Sequence, residues 1–274
     1  MHHSLSVIIP AYNAEEYLEE TLRSIIDQSF EDWELIVLNN ASTDSTAFIL
    51  ERIQEELKDP RIRILTHATT LPACENINFG ISQAKGEFIK VICADDLAAE
   101  GSFQTQVEAL RQNPNVVLAT GARVIVNAKG KKLFTTNRLG KKGVLRGSDA
   151  IRRCALAGTN IIGDPVHVMW RRSAIKKVGS FDISVTYATD LDYWMKLLNV
   201  GDLYYDPSPA GLYRIHGGAT SSGSWKATTD WVLKIFDNQR KLNKLRLSNG
   251  RFALISIKAY LQGALRGQIY KYLG

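Results

Sequence analysis

The sequence predicts an α/β fold in which helices cover both faces of a largely parallel sheet. Over the first 120 residues, short apolar runs rich in β-branched residues alternate with longer segments of helical periodicity. These runs are almost continuously apolar, which is typical of strands buried on both faces. With 274 residues, 45% of them apolar, the chain is near the upper size for one core, so we expect one large domain with a small appendage.

Four strands and four helices alternate in this first part. The predicted strands are Leu5–Pro10, Trp33–Leu38, Ile62–Thr66 and Glu87–Cys93, and the predicted helices cover residues 14–28, 45–58, 72–84 and 100–112. The carboxyl ends of parallel strands meet at one edge of a sheet, where α/β proteins bind their ligands. The residues that follow each strand are therefore the candidates for function.

The pattern changes after about residue 115. Val116–Val126 and Leu133–Thr136 flank a Lys-Gly turn and predict a strand pair. Further predictions are helices at 148–157 and 190–199, strands at 165–171 and 203–214, and two helical stretches between Trp225 and Leu273. We therefore divide the chain into a main domain, residues 1–222, and a helical C-terminal extension, residues 223–274.

Charge and cysteine content exclude several classes of protein. The three cysteines show no CxxC spacing, which argues against a disulfide framework or a zinc cluster and favours a reducing cytoplasm. No apolar run reaches the 18 or so residues of a membrane span, and no signal-peptide pattern precedes the first strand. The expectation is a soluble cytoplasmic protein.

The basic residues are concentrated in the C-terminal extension. Residues 224–274 carry ten Lys or Arg and two Asp, a net charge of +8, whereas the whole chain has +6, so the remainder has −2. An acidic main domain argues against nucleic-acid binding. The extension is either a solvated helical pair that covers the sheet or a peripheral contact with an anionic membrane surface.

The first two strands end in an aromatic residue and in two amides. Pro10 and Tyr12 close the first strand, and Asn39 and Asn40 follow the second. A tyrosine ring can stack on a nucleobase, and amides can bond its edge. Core packing, helix capping and turn formation explain the same residues, so the local pattern alone leaves both interpretations open.

Two adjacent carboxylates, Asp95 and Asp96, follow the fourth strand. Neighbouring charges at the end of a buried strand are unfavourable unless a cation is present, because each raises the pKa of the other. A divalent cation held between these carboxylates and substrate phosphates would resolve the conflict. A helix N-cap explains one Asp but does not explain the pair.

Two later segments also carry candidate chemistry. Asp190 opens a predicted helix, where it is either an N-cap or a general base at a cleft. Arg214 and His216 lie on the same side of a predicted strand, a pairing suited to contact with a diphosphate or a metal.

These pieces occur in an order that resembles the inverting glycosyltransferases of family 2, which have the GT-A fold. The matching segments run from residue 6 to about 221 and are SVIIPAYN (6–13), NNASTD (39–44), NFGISQAKGEFI (78–89), CADD (93–96), GDPVHVMWRRSAIKKVGSFD (163–182), TDLDYW (189–194) and YRIHGGATS (213–221). The resemblance implies a Rossmann-like nucleotide-binding mixed sheet flanked by helices, followed here by the helical extension.

The resemblance also implies roles for the candidate residues. It assigns donor binding to Pro10, Tyr12, Asn39, Asn40, Asp95 and Arg214, a Mn²⁺ or Mg²⁺ site to Asp96 and His216, and the role of catalytic base to Asp190. Residues 163–172 would form the acceptor side. The chain departs from the family pattern where many members have Asp in place of Asn40 and Cys93, and Glu in place of Thr189.

The implied function is metal-dependent transfer of a hexose-type sugar from a nucleotide diphosphate, with UDP favoured and dTDP second, to a saccharide or lipid-linked saccharide. The commonest setting in the family is bacterial surface polysaccharide synthesis. A silent GT-A-like module that only binds a nucleotide or a sugar is the alternative: the departures at Asn40 and Cys93 keep it open, whereas the retention of Asp95, Asp96 and Asp190 together argues against it. A dinucleotide-dependent dehydrogenase is excluded, since no GxGxxG follows the first strand.

Overall fold

A computed structural model describes residues 3–217 and 224–273, with side chains up to residue 268. Its strands are β1 (Leu5–Ala11), β2 (Trp33–Asn39), β3 (Ile62–Thr66), β4 (Phe88–Val91), β5 (Leu97–Ala98), β6 (Val116–Asn127), β7 (Lys132–Thr136), β8 (Gly143–Leu145), β9 (Val168–Arg171) and β10 (Asp202–Ile215). Its helices are α1 (Leu18–Ile26), α2 (Thr46–Leu57), α3 (Ala73–Gln83), α4 (Ser102–Gln112), α5 (Gly147–Ala157), α6 (Ile175–Val178), α7 (Thr189–Leu198), α8 (Trp225–Lys241) and α9 (Asn249–Leu273).

In the described residues, all strands belong to one mixed sheet with the order β3-β2-β1-β4-β9-β6-β10-β5. The first four are parallel to one another, β9 runs antiparallel between β4 and β6, and β10 is parallel to β6. Strands β7 and β8 pair at the side with β6 and β10. The carboxyl ends of β1, β2 and β4 therefore lie next to one another, as the alternating sequence pattern predicts.

The sheet is buried on both faces. Alternate residues of each strand point to opposite sides, so Ile8 packs into the cluster that includes α3, α5 and α7, whereas Val7 and Ile9 pack against α1, α2 and α4. Helix α3 approaches the sheet closely at Gly80, where a Cβ would lie 2.6 Å from Ile8 Cγ2. Burial of both faces explains why the strands are continuously apolar.

The predicted mixed α/β class is confirmed, and one strand prediction is wrong in part. Residues 165–171 were expected to be one strand, but Pro165–His167 form a 3₁₀ turn and only Val168–Arg171 pair in the sheet. Pro165 has no N–H to donate to a neighbouring strand, whereas the His167 N–H bonds back to Asp164 O at 2.9 Å. The sequence pattern did not predict the short strands β5 and β8 or helix α6.

The C-terminal helices pack on the main domain. Val232, Ile235 and Phe236 of α8 belong to the same buried cluster as α5 and α7, and α9 lies against α5 and α8. The end of the YRIHGGATS segment and the predicted boundary at residues 222 and 223 lie outside the described residues, so the two-part division stays a prediction. Within residues 3–217 and 224–273, every helix is too short or too polar to span a bilayer.

Candidate active site

Hydrogen bonds join the loops that follow β1 and β2. Asn13 Oδ1 accepts the Thr43 N–H at 2.8 Å, and the Asn13 N–H donates to Ser42 Oγ at 3.1 Å. The Glu15 carboxylate accepts the Ser45 N–H at 2.9 Å, at the start of α2. These contacts require a positive φ of 47° at Asn13, a conformation that asparagine tolerates better than most residues. The two loops thus form one bonded surface at the edge of the sheet.

Tyr12 is the exposed aromatic residue of this surface, with 52% of its area accessible. Pro10, two residues earlier, stays inside the ladder of β1 and pairs in register with Leu38. A large exposed ring beside a polar loop offers a face on which a planar ligand can stack. The stacking role of Tyr12 stays a prediction.

The two asparagines at the end of β2, Asn39 and Asn40, are buried and hold loops. Asn40 Nδ2 donates to Leu71 O at 2.9 Å, and Asn40 Oδ1 accepts the Leu71 N–H at 2.8 Å. Asn39 Oδ1 accepts the Ser42 N–H at 3.1 Å. In this structure the Asn40 amide is therefore bonded on both sides to the backbone of one residue, and its predicted contact with a base edge remains untested.

Three potential metal ligands meet at the end of β4. Ligand atoms of Cys93, Asp95 and Asp96 all lie within 4.8 Å of one another. Asp96 is 1% exposed, and its burial and the charge of Asp95 raise its pKa well above the usual range. Because a buried carboxylate beside a second one is costly without a counter-charge, this donor set fits a divalent cation.

Arg214 and His216 bond to the same carboxylate pair. His216 Nε2 lies 2.9 Å from Asp95 Oδ2, and the Arg214 backbone N–H donates to Asp96 Oδ1 at 2.9 Å. Arg214 Nε donates to the Asp95 carbonyl oxygen at 2.8 Å. The predicted residues Asp95, Asp96, Arg214 and His216 are thus brought into direct contact by strands β4 and β10.

The Arg214 guanidinium is almost fully buried and is held by protein groups. Nη2 donates to Glu20 Oε2 at 2.7 Å, Nη1 donates to Ala128 O at 2.8 Å, and the cation lies 4.6 Å from the centre of the Tyr17 ring. Its exposed fraction is 1%. In this structure Arg214 therefore positions Asp95 and Asp96. Its contact with a diphosphate stays a prediction.

Asp190 lies in the first turn of α7 and is half-buried. Burial and then the charge of Asp164 raise its pKa from 3.8 to about 6, although the Leu191 N–H and the Asn160 side chain act in the opposite direction. Asn160 Nδ2 donates to Asp190 Oδ2 at 2.7 Å. A carboxylate with a pKa near neutrality is suited to general-base chemistry.

A turn at residues 160–164 supports Asp190 and was not predicted. Asn160 Oδ1 accepts the Gly163 N–H at 3.2 Å, and Asp164 pairs with Arg123 at 2.6 Å. Gly163 has a φ of 136°, and a Cβ there would lie 2.7 Å from His167 Cβ. The GDP tripeptide indicates this turn in the sequence, but no local pattern identifies Asn160 or Arg123 as neighbours of the candidate base.

The thiol of Cys93 is influenced by the charges of both the metal-type cluster and Asp190. The thiol of Cys93 has a pKa raised well above its usual value by burial and then by four carboxylates, those of Asp96, Asp95, Asp164 and Asp190. Charges reach a buried group strongly only over short distances. The carboxylates expected for metal binding and the carboxylate of Asp190 are therefore close enough to raise the pKa of the same thiol.

Comparison with known proteins identifies the family. The profile described as glycosyl transferase family 2 matches residues 6–179, which is more than half of the chain. This chain belongs to glycosyl transferase family 2. It is accordingly a glycosyltransferase, and the GT-A fold and the family resemblance expected from the sequence are confirmed.

Related sequences come from several bacteria. An uncharacterized glycosyltransferase of Haemophilus influenzae is 29% identical over 225 residues, which cover 80% of this chain and 67% of that protein. TuaG of Bacillus subtilis, named for teichuronic acid biosynthesis, is 26% identical over 225 residues, which cover 81% of this chain and 83% of that protein.

Solved structures share the fold of this family 2 chain. Residues 1–349 of TarS from S. aureus in complex with UDP-GlcNAc superpose with a TM-score of 0.69 at 18% identity, covering 94% of this chain and 71% of that one. The mannosyltransferase PcManGT of Pyrobaculum calidifontis, in complex with GDP-Man and Mn²⁺, gives 0.66 at 19% identity, covering 100% and 74%.

Proposed function

We propose that the chain transfers a sugar from a nucleotide diphosphate to a hydroxyl of a saccharide or lipid-linked saccharide, with inversion at the anomeric carbon. The observation that carries the proposal is the Asp95–Asp96 pair, whose carboxylate oxygens lie within 4.8 Å of each other and of the Cys93 thiol, together with a separate carboxylate, Asp190, that Asn160 holds in place. A cation site for the leaving diphosphate and a base for the incoming hydroxyl are the two functions that a single displacement needs.

The joined loops after β1 and β2 support a nucleotide-binding role for this edge of the sheet. They offer an exposed Tyr12 ring beside buried amides and backbone groups that are already ordered. TarS has been crystallised with UDP-GlcNAc and PcManGT with GDP-Man, so nucleotide diphosphate sugars are bound by this fold. We propose a UDP-sugar as the donor, with a dTDP-sugar second.

The donor set supports a divalent cation. Asp95 and Asp96 would hold it, with His216 beside Asp95, and PcManGT carries Mn²⁺. Carboxylate oxygens suit Mg²⁺ and Mn²⁺, and a histidine ligand favours Mn²⁺ over Mg²⁺. When bound, such a cation would neutralise the negative charge of a diphosphate.

Asp190 would act as the base. Asn160 donates to its Oδ2 and so orients the carboxylate, which would accept the proton of the acceptor hydroxyl. As that proton moves to Asp190, the acceptor oxygen forms a bond to the anomeric carbon on the face opposite the diphosphate, and the bond between this carbon and the diphosphate oxygen breaks. One displacement of this kind inverts the configuration.

Replacement of Asp190 by Asn tests this assignment. The variant keeps the shape of the side chain and the bond to Asn160 but removes the basic oxygen, so nucleotide binding should persist while transfer falls by about 10²–10⁴-fold. Asp192→Asn, two residues away on the same helix, is the matched control. Unchanged turnover in Asp190→Asn, measured as nucleotide diphosphate released from the donor, would refute the role.

The outer face of α9 supports contact with an anionic membrane surface. Leu254, Ile257, Leu261 and Leu265 form a stripe along the helix and are 59–68% exposed, on the side that faces away from the buried Ala259. The extension that carries the stripe has a net charge of +8. Apolar and cationic groups on one surface are the two features that bind a peripheral helix to anionic lipids.

Point variants test the membrane contact without removing packed helices. Leu254→Glu combined with Leu261→Glu should reduce co-sedimentation with phosphatidylglycerol vesicles at least tenfold, because it replaces apolar contacts by repelling charges. Phe48→Glu changes an equally exposed residue on α2 and should leave it unchanged. Equal sedimentation of all three proteins would rule the contact out.

TuaG, by its name, acts in teichuronic acid synthesis, and we propose a surface polysaccharide setting for this chain as well.

A further inference from the structure

A groove of about 480 Å³ lies between α5, α9 and the segment before β8. None of the residues that line it belongs to the carboxylate site. Three cations, one amide and three apolar side chains form its walls: Arg138, Arg153, Lys258, Gln262, Leu156, Ala157 and Ile161.

The groove has an excess of positive charge. Within the described part of the chain, no Asp or Glu lines it and none lies within ion-pair distance of Arg138, Arg153 or Lys258. Arg153 Nη1 donates to Leu139 O at 2.5 Å, and Lys258 Nζ donates to Leu156 O at 3.0 Å. A guanidinium has five N–H donors and an ammonium three, so both cations keep donors for a ligand.

The remaining walls suit a carbohydrate. Gln262 Oε1 is buried and has no hydrogen-bond partner among the described residues, so it can accept a hydroxyl. Leu156 and Ile161 give an apolar floor of the kind that packs against the C–H face of a sugar ring. A buried acceptor without a partner is unfavourable, and a ligand that donates to it would remove the cost.

One wall of the groove adjoins the turn that holds the candidate base. Ile161 in its floor directly follows Asn160, which bonds Asp190. Lys258 and Arg266 of α9 bond Leu156 and Thr159, at 3.0 and 3.4 Å, and so fix α9 to the turn that carries Asn160. A ligand seated in the groove would therefore lie between α9 and the segment that leads into this turn.

We infer that this groove binds a phosphate ester of the acceptor, with the phosphate at Arg138, Arg153 and Lys258 and the attached sugar against Gln262 and Ile161. The assignment of this ester as the acceptor rests on the proposed function, whereas the affinity of the groove for a glycosyl phosphate does not. Two sources have this chemistry, a soluble glycosyl phosphate and the phosphodiester headgroup of a lipid.

The test uses α-D-glucose 1-phosphate, glucose and phosphatidylglycerol vesicles as probes. Calorimetry is carried out with the full chain in the presence of UDP and Mn²⁺, which would fill a donor site. Arg153→Gln combined with Lys258→Gln should weaken binding of the phosphate probe at least tenfold, whereas Arg152→Gln, an exposed neighbour on α5, should not. Glucose should bind neither protein measurably.

The outcomes separate the two sources and the two proposals. Weaker binding of a probe by the double variant, but not by Arg152→Gln, supports the groove. The probe for which binding weakens, glycosyl phosphate or vesicle, identifies the source of the phosphate ester. Equal binding of both probes to wild type and double variant, or no binding of either, overturns the inference. A separate titration of wild type with UDP and Mn²⁺ shows whether the proposed function fails, and the variant comparison does not depend on its result.

Discussion

The pH dependence of transfer is the most direct test of Asp190. Its pKa is raised to about 6, first by burial and then by the charge of Asp164. A base acts only in its ionised form, so about one tenth of the molecules are active at pH 5 and about nine tenths at pH 7. The rate should rise about tenfold between these values and then level off. An Asp at its usual pKa of 3.8 would give nearly the same rate at both.

Asp164→Asn separates the causes of this shift. The substitution removes a neighbouring negative charge and leaves Asp190 in place, so the midpoint should move to lower pH, while Asp149→Asn on the exposed side of α5 should not move it. The assay is release of the nucleotide diphosphate across the pH range. Nucleotide binding is measured at each pH, because protonation of Asp96 weakens metal binding as well. A flat profile from pH 5 to pH 7 with binding intact would refute the reasoning.

Three further predictions concern the site and the core. Asp96→Ala should abolish the Mn²⁺-dependent part of nucleotide binding in calorimetry, and equal affinity of wild type with and without metal would contradict this. Asn40→Ala leaves both backbone groups of Leu71 unpaired and should lower the free energy of unfolding by about 1–3 kcal/mol in urea; an unchanged midpoint would count against it. Burial lowers the pKa of Lys90 to about 7, so between about pH 7 and pH 10 Lys90 is protonated only in the unfolded state. The free energy of unfolding of wild type should therefore increase relative to that of Lys90→Met as the pH rises through this range. A constant difference between the two proteins in urea unfolding at pH 7 and pH 10 would disprove this.

The main part of the fold can be predicted because its determinants are local. Each strand from β1 to β4 is an apolar run bounded by turns, and each following helix has its own periodicity. The order of strand and helix then restricts the sheet to few topologies. The candidate carboxylates can be found for the same reason, since Asp95 and Asp96 directly follow a predicted strand and Asp190 begins a predicted helix.

Contacts between distant segments could not be predicted from local sequence patterns. Arg214 and His216 look alike in the sequence, two residues apart on one strand, yet only Arg214 is enclosed, because Glu20 of α1 and the β6–β7 turn close over it. Asn160 lies in a turn without periodicity, and its contact with Asp190 spans 30 residues. The 3₁₀ turn at Pro165–His167 was missed because its apolar residues also fit a strand.

The hydrogen bonds of Arg214 to Glu20, Asp95, Asp96 and Ala128 have a consequence for the order in which the protein forms this site during synthesis. Residues near the start of the chain, such as Glu20, and the Asp95–Asp96 pair are made long before Arg214 and His216, which reach them across separations of 194 and 121 residues. A nascent chain that ends before β10 therefore holds the Asp95 and Asp96 carboxylates without the Arg214 side chain that positions them. If the proposed metal site is correct, binding of the divalent metal should begin only after residue 216 has left the ribosome, late in translation.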